Sequence, residues 1–305
     1  MSRLGQTSLG AAAGLLIDRV VGEPPASAHP IAEFGKAMKH IEQALWANRR
    51  LAGIAYATIG VTIGAAGGWL MKSTATAVAV TAAGHELRQV AMQIREMVVS
   101  RDLPAARTEL RTLVGRDRSE LDACNITAAV IESMAENGVD AVIAPAFWGA
   151  VAGAPGAAIY RAINTMDAMV GLRNERYSNF GWAAARLDDV ANYIPARIFA
   201  TLVAMLNQQQ GHQIIDTIRQ DASSHPSPNA GVSEAAVAGA LNLKLGGPLS
   251  YQGVIEERPF LGSGSRPEPN DIEAAVRLID RVEIAAVGVL VLIWFIDWLL
   301  NQGSS

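Results

Sequence analysis

Long apolar runs alternate with clusters of charge along this chain, and that pattern sets the first reading. Leu51–Met71 holds 21 residues without a charged side chain, and about 20 suffice for a helix to cross the hydrocarbon core of a bilayer. Arg49 and Arg50 precede this run and Lys72 follows it. Val282–Leu300 is a second such run, interrupted only by Glu283 and Asp297 near its ends, with Arg277 and Arg281 just before it. Both predict membrane-spanning helices. Within the first, Gly60, Gly64 and Gly68 recur every four residues, which places them on one helix face and lets a neighbouring helix pack closely.

Two further runs are apolar but punctuated. Val139–Tyr160 contains Asp140, Pro145, Gly153 and Pro155, and Tyr193–Leu206 contains Pro195 and Arg197. They predict broken helices, which membrane proteins tolerate where the segment is buried in protein or lines a cavity. Ser73–Gly84 follows the first span almost at once. It predicts the returning arm of a helical hairpin, leading into a charged amphipathic helix over His85–Arg101. The stretch 8–17 reads as a retained helix, because it runs into Asp18-Arg19 rather than a small-residue cleavage site.

Basic residues orient these elements. The loop at 22–50 holds Lys36, Lys39, Arg49 and Arg50, the segment 85–138 holds seven arginines, and 161–189 holds Arg161, Arg173, Arg176 and Arg186. The positive-inside rule places all three on the cytoplasmic side. A hairpin over 51–84 satisfies the first two. The third follows if Val139–Tyr160 dips in and returns, or is buried in protein. The region 207–281 is polar and rich in turn residues, with strand signals limited to a short pair within Tyr251–Leu261. The chain therefore reads as all-α, a multi-pass membrane protein of one domain over residues 1–305.

Composition narrows the class. Half the residues are apolar and 18% are charged, against about a quarter charged in soluble domains. The net charge of −4 argues against nucleic acid as a partner, since phosphate-backbone binding needs a basic surplus. The single cysteine, Cys124, excludes an internal disulfide. No G-x-x-x-x-G-K-[ST] loop, G-x-G-x-x-G fingerprint or H-E-x-x-H motif is present.

Four polar clusters lie within or beside the apolar runs. In Glu132–Asp140, Glu132 and Glu136 are four apart and share a helix face behind a Ser119–Asp122 capping box. Asp140 extends the acidic row unless Gly138 breaks the helix first, and the row reads either as a Mg²⁺ or arginine-clamp site or as a solvated face. Arg161, Asn164 and Asp167 line one helix side, followed by the basic pair Arg173 and Arg176 beside Gly171. Arginine forks suit phosphate and carboxylate oxygens, and positive-inside topology is the plainer reading. In Arg186–Arg197, Asp188 and Asn192 share a face while Asp189 points about 100° away. Carboxylates here suit Mg²⁺ and substrate phosphates, or an ion-pair network with Arg186 and Arg197. His225-Pro226-Ser227-Pro228-Asn229, with Gly231 allowing a left-handed turn, is either a rigid substrate loop or a cap for a helix starting near Ser233. A smaller N-terminal set holds Asp18, Arg19, Glu23 and His29.

These clusters, in this order, resemble the CobD/CbiB family, the adenosylcobinamide-phosphate synthases. The matching stretches are Asp18–Pro30, Leu113–Asp117, Glu132–Trp148, Tyr160–Tyr177, Phe180–Arg197 and His225–Gly239, spread over most of the chain. The departures are small. The family's usual Asn-Thr-Ser-Asp-Gly is Asn137-Gly138-Val139-Asp140-Ala141 here, and a usual serine and aromatic are Ala168 and Leu172. The acidic, asparagine and arginine positions are kept.

The resemblance implies an integral enzyme of the cytoplasmic membrane, with its active site on the cytoplasmic side. It would join adenosylcobyric acid to (R)-1-amino-2-propanol or its phosphate, using ATP as co-substrate and Mg²⁺. Its partners would be the corrinoid and aminopropanol substrates and the lipid bilayer. A homo-oligomer, or contact with other cobalamin-assembly enzymes, is left open. On this reading Glu132, Glu136, Asp188 and Asp189 hold the metal, with Glu136 and Asp189 also catalytic. Arg161, Asn164, Arg173, Arg176, Asn229 and His29 bind substrate or phosphate, and His225 is the general base. A non-enzymatic membrane sensor and a corrinoid transporter are the alternatives. Neither spacing nor composition names the substrate.

Overall fold

The computed structural model describes residues 1–24, 29–113, 121–247, 249–251, 254–256 and 258–302, without the side chains of 249–251 and 254–256. Residues 114–117 of the second matching stretch, Ser119 of the expected capping box, and residues 25–28 of the N-terminal motif lie outside the described residues.

Helix dominates. In chain order the helices are α1 (Arg3–Val21), α2 (Pro30–Leu45), α3 (Arg50–Met71), α4 (Thr74–Thr81), α5 (Gly84–Val99), α6 (Leu103–Glu109), α7 (Ala123–Gly138), α8 (Ala144–Val170), α9 (Trp182–Leu206), α10 (Gly211–Asp221), α11 (Ala230–Leu241) and α12 (Pro269–Gln302). Arg50–Met71, Ala123–Val170, Trp182–Leu206 and Pro269–Gln302 are long and apolar enough to cross a membrane. The chain is an all-α, multi-pass membrane protein. It divides into two compact units: Met1–Ala83, Asp140–Pro195 and Ala286–Ser305 form the first, and Gly84–Val139 and Ala196–Ala285 the second.

In the first unit the glycine face of α3 meets α8. A Cβ on Gly64 would lie 2.8 Å from Ala162 Cβ, and one on Gly68 would lie 2.5 Å from Pro155 Cα. Only glycine allows this approach, as the four-residue spacing predicts. The core beside it gathers Met38, Tyr56, Tyr160, Met166 and Phe180, with the Tyr56 and Phe180 rings 5.1 Å apart.

α8 is two helices joined at Gly153, where φ is 71° and ψ −156°, a backbone region essentially closed to other residues. A Cβ on Gly156 would run into the Trp148 carbonyl. On a straight helix those residues stand about 12 Å apart along the axis, so the chain folds back at Gly153. The apolar run Val139–Tyr160 is thus broken by a reversal of the backbone at Gly153.

Three local expectations are corrected. α4 is eight residues long, about 12 Å, too short to span a bilayer of about 30 Å. It packs chiefly on α1 and α8 rather than returning along α3. Its helix stops because Ala82 turns extended, at ψ 157°. Gly138 does not break the acidic helix; the chain continues through a π-helical turn over Val139–Ile143. Tyr193–Leu206 is not a separate broken segment, since α9 begins at Trp182 and carries Pro195 in its interior.

The charges inside the last span are matched. The buried Glu283 carboxylate accepts from Arg88, which also lies 3.4 Å from Asp280. Asp297 accepts from the Ser2 backbone N–H at 2.8 Å. In the second unit α10 packs on α11 so closely that a Cβ on Gly239 would sit 2.8 Å from Ile214 Cα. The expected strand pair is a nested ladder: β1 (Leu245–Gly246) pairs with β4 (Phe260–Leu261), and β2 (Leu249–Tyr251) with β3 (Val254–Glu256), both antiparallel.

Candidate active site

In the first unit, five polar side chains close a ring inside an apolar bundle. The Asn164 amide donates to Asp140 Oδ2 at 3.0 Å and reaches Asp188 Oδ1 at 3.4 Å. Asn192 donates to Asp188 Oδ2 at 3.0 Å. The Tyr160 hydroxyl lies 2.9 Å from Asn192 Oδ1 and 3.3 Å from Asp140 Oδ1. The local reasons are plain. Asp188 and Asn192 are one turn apart on α9, the shared face that spacing predicts. Tyr160 and Asn164 are one turn apart on α8. The π-helical turn carries Asp140 toward both.

The amide donors fix the carboxylate oxygens without cancelling their charge. Two carboxylates held this way, with phosphate oxygens from a ligand, are the usual protein share of a Mg²⁺ site. Among the described residues no three His, Cys, Asp or Glu side chains converge on one point. Asp140 and Asp188 are the two carboxylates that the ring brings together, and they are the residues that could hold a cation there. Asp189 turns away to Arg186 at 3.2 Å.

The arginines separate. Arg161 lies beside the ring, with Nη1 3.4 Å from Asn164 Oδ1. Asp167 packs against Gly171, where a Cβ would overlap its carboxylate, and that glycine caps the end of α8. Arg173 is exposed. Arg176 bonds Glu42 at 3.0 Å and lies over the Trp46 ring, 4.9 Å from its centroid. Tyr177 donates to the same Glu42 oxygen at 2.8 Å. Burial and that bond raise the Tyr177 pKa, and bonds to Glu42 and Tyr177 raise that of Arg176. Also in this unit, His29 caps α2 by accepting from Ile31 N–H at 3.2 Å, while its Nε2 meets Glu23 at 3.1 Å.

In the second unit His225 and Glu234 form a buried pair, Nε2 to Oε1 3.7 Å. The Ser227 N–H lies 3.0 Å from His225 Nδ1. If it donates there, the Nε2–H of neutral His225 faces the carboxylate. Asn229 accepts from Arg197 at 2.7 Å. α11 starts at Ala230, not near Ser233, and Gly231 is helical rather than left-handed. Its missing Cβ lets Ala222 O and His225 Cβ come within 2.5 and 2.7 Å of that position. Glu132 accepts the Gly246 N–H at 2.7 Å, and Glu136 is exposed. α7 is capped by Asp122, which accepts from Asn125 N–H at 2.8 Å.

Sequence reasoning named Asp140 only as an extension of the acidic row and did not single out Tyr160. Asn192 was visible through its spacing to Asp188. Tyr160 gave no signal beyond a polar ring at the end of an apolar run.

The family described as CobD/Cbib protein matches residues 11–279. The chain is 41% identical over 298 residues to the cobalamin biosynthesis protein CobD of Mycobacterium tuberculosis, covering 93% of this chain and 94% of that one. It is 41% identical over 286 residues to the protein of that name from Chromobacterium violaceum, covering 88% and 90%. It is 39% identical over 300 residues to that of Stutzerimonas stutzeri, covering 93% and 96%. No solved structure matches.

Proposed function

We infer the function from one premise: the chain belongs to the CobD/CbiB family, and its role lies in cobalamin biosynthesis. On that premise it is an ATP-dependent ligase. It joins the carboxylate of adenosylcobyric acid to (R)-1-amino-2-propanol or its phosphate, giving adenosylcobinamide or its phosphate. The observation that supports this most is the ring of Asp140, Asn164, Asp188, Asn192 and Tyr160 with Arg161 beside it.

Amide formation needs an activated carboxylate. The simplest route transfers the γ-phosphoryl of ATP to the corrinoid carboxylate, releasing ADP. The amine then attacks the acyl carbon, the C–O bond to phosphate breaks, phosphate leaves, and the amine gives up one proton. Asp140 and Asp188 would hold Mg²⁺, which offsets phosphate charge when bound. Asn164 and Asn192 keep their oxygens oriented. Arg161 meets developing negative charge.

The test is amide formation by detergent-purified protein given adenosylcobyric acid, aminopropanol phosphate, ATP and Mg²⁺. Product and released phosphate should appear in equal amounts. Folded protein that makes neither would return the chain to the sensor or transporter reading. The same reading puts the protein in the cytoplasmic membrane with its site on the cytoplasmic side.

A further inference from the structure

Two short segments of the first unit are stitched together at the Arg50 end of α3. Arg50 lies over the Trp182 ring, 5.0 Å from its centroid. In the reverse sense, Arg176 lies over the Trp46 ring at 4.9 Å. The Asn179 amide donates to Asn48 Oδ1 at 2.9 Å, and the Trp46 indole N–H reaches Arg176 O at 3.4 Å. Residues 46–50 and 176–182 thus form one pad, held from both sides by cation–π and amide contacts.

The arginines of this pad differ in what they have left to give. Arg176 is bonded to Glu42. Arg49 and Arg50 are exposed, and among the described residues neither pairs with a carboxylate. Arg49 precedes α3 without capping it through its side chain. Contact with a ring face uses the flat surface of a guanidinium and leaves its N–H donors for an oxyanion. Arg50 is therefore a positioned cation with its donors unspent.

The surroundings select the anion. α3 is long and apolar enough to cross a membrane, and its uncharged run begins at Leu51, which is 74% exposed. Ile54, one turn beyond Arg50, is exposed as well, as are the Trp46 and Trp182 rings. Arginines directly before such a run stand at headgroup depth, the level that tryptophan also prefers. A soluble anion would use the two arginines and leave this apolar flank in water. We propose that the pad binds an anionic phospholipid, its phosphate on Arg49 and Arg50 and its acyl chains along the α3 face that Leu51 and Ile54 begin. The inference is independent of the ligase reading, which uses neither arginine.

Native mass spectrometry of the full chain in dodecyl maltoside tests it, comparing dioleoyl-phosphatidylglycerol with dioleoyl-phosphatidylcholine at equal micelle fractions. Arg49→Gln, Arg50→Gln and the double variant are measured beside the parent. Arg3→Gln, an exposed arginine on α1, is the reference. The parent should hold phosphatidylglycerol at least tenfold more tightly than phosphatidylcholine. One basic residue at an anionic surface is worth about fivefold, so each single variant should lose about that much and the double variant about 25-fold. Arg3→Gln should match the parent. Thermal unfolding in lipid-free detergent identifies the folded variants, and sn-glycerol 3-phosphate, a headgroup without acyl chains, should not compete. Equal retention of the two lipids, an undiminished preference in the folded Arg49 and Arg50 variants, the same loss in Arg3→Gln, or competition by glycerol phosphate overturns the proposal.

Discussion

Asn164 donates its side-chain amide to Asp140, 24 residues earlier in the chain, at 3.0 Å. The same nitrogen reaches Asp188, so one neutral group spaces two carboxylates. Replacing Asp188 with Asn, or Asn164 with Ala, is expected to lower the rate of amide formation by about two orders of magnitude. Asp189→Asn, which loses a contact to the exposed Arg186, should cost less than tenfold. Initial rates on protein with unchanged circular dichroism make the comparison. Equal losses at 188 and 189 would argue against the ring as the site.

Tyr177 gives a pH signature. Its pKa is raised above the ordinary value near 10, first by burial and then by its bond to Glu42. The folded protein therefore keeps that proton when the unfolded chain has lost it. Its contribution is complete below about pH 10 and fades as pH rises through the folded value. Thermal unfolding of the parent should weaken as pH rises above about 10, and Tyr177→Phe should show a shallower decline.

Two glycine substitutions should have opposite signs. Gly153→Ala forces a side chain into φ 71°, ψ −156° and should destabilise by about 1–3 kcal/mol. Gly67→Ala lies inside α3, with open space around the new methyl. It should stabilise by about 0.5–1 kcal/mol through helix propensity. Thermal unfolding in detergent reads both.

Topology is testable at one position. With Cys124 replaced by Ser, Asn174→Cys should react with a membrane-impermeant maleimide in inside-out vesicles and not in intact cells. Labelling in intact cells alone would overturn the cytoplasmic placement of the 161–189 segment.

Much of this architecture is legible in the sequence because its signals are local. An uncharged run announces α3, and the four-residue glycine spacing announces the face that takes α8. Asp188 and Asn192 are one turn apart, so their contact follows from helix geometry. What stays hidden depends on partners distant in sequence. Glu283 looks like a flaw in a span until Arg88, 195 residues away, is seen beside it. Arg176 reads as a lone surface cation until Glu42, 134 residues away, is seen bonded to it. Tyr160 meets Asp140 only because the chain reverses at Gly153, and periodicity does not survive a reversal. Pro195 punctuates the pattern without ending α9, since a proline inside a buried helix can be accommodated by its neighbours.

The most direct test of the account is ATP-dependent amide formation by the purified protein and its Asp188→Asn and Asn164→Ala variants, with amide and phosphate counted together. The account predicts one phosphate per amide from the parent, and both reduced about a hundredfold in each variant. Undiminished amide formation in both folded variants would contradict it.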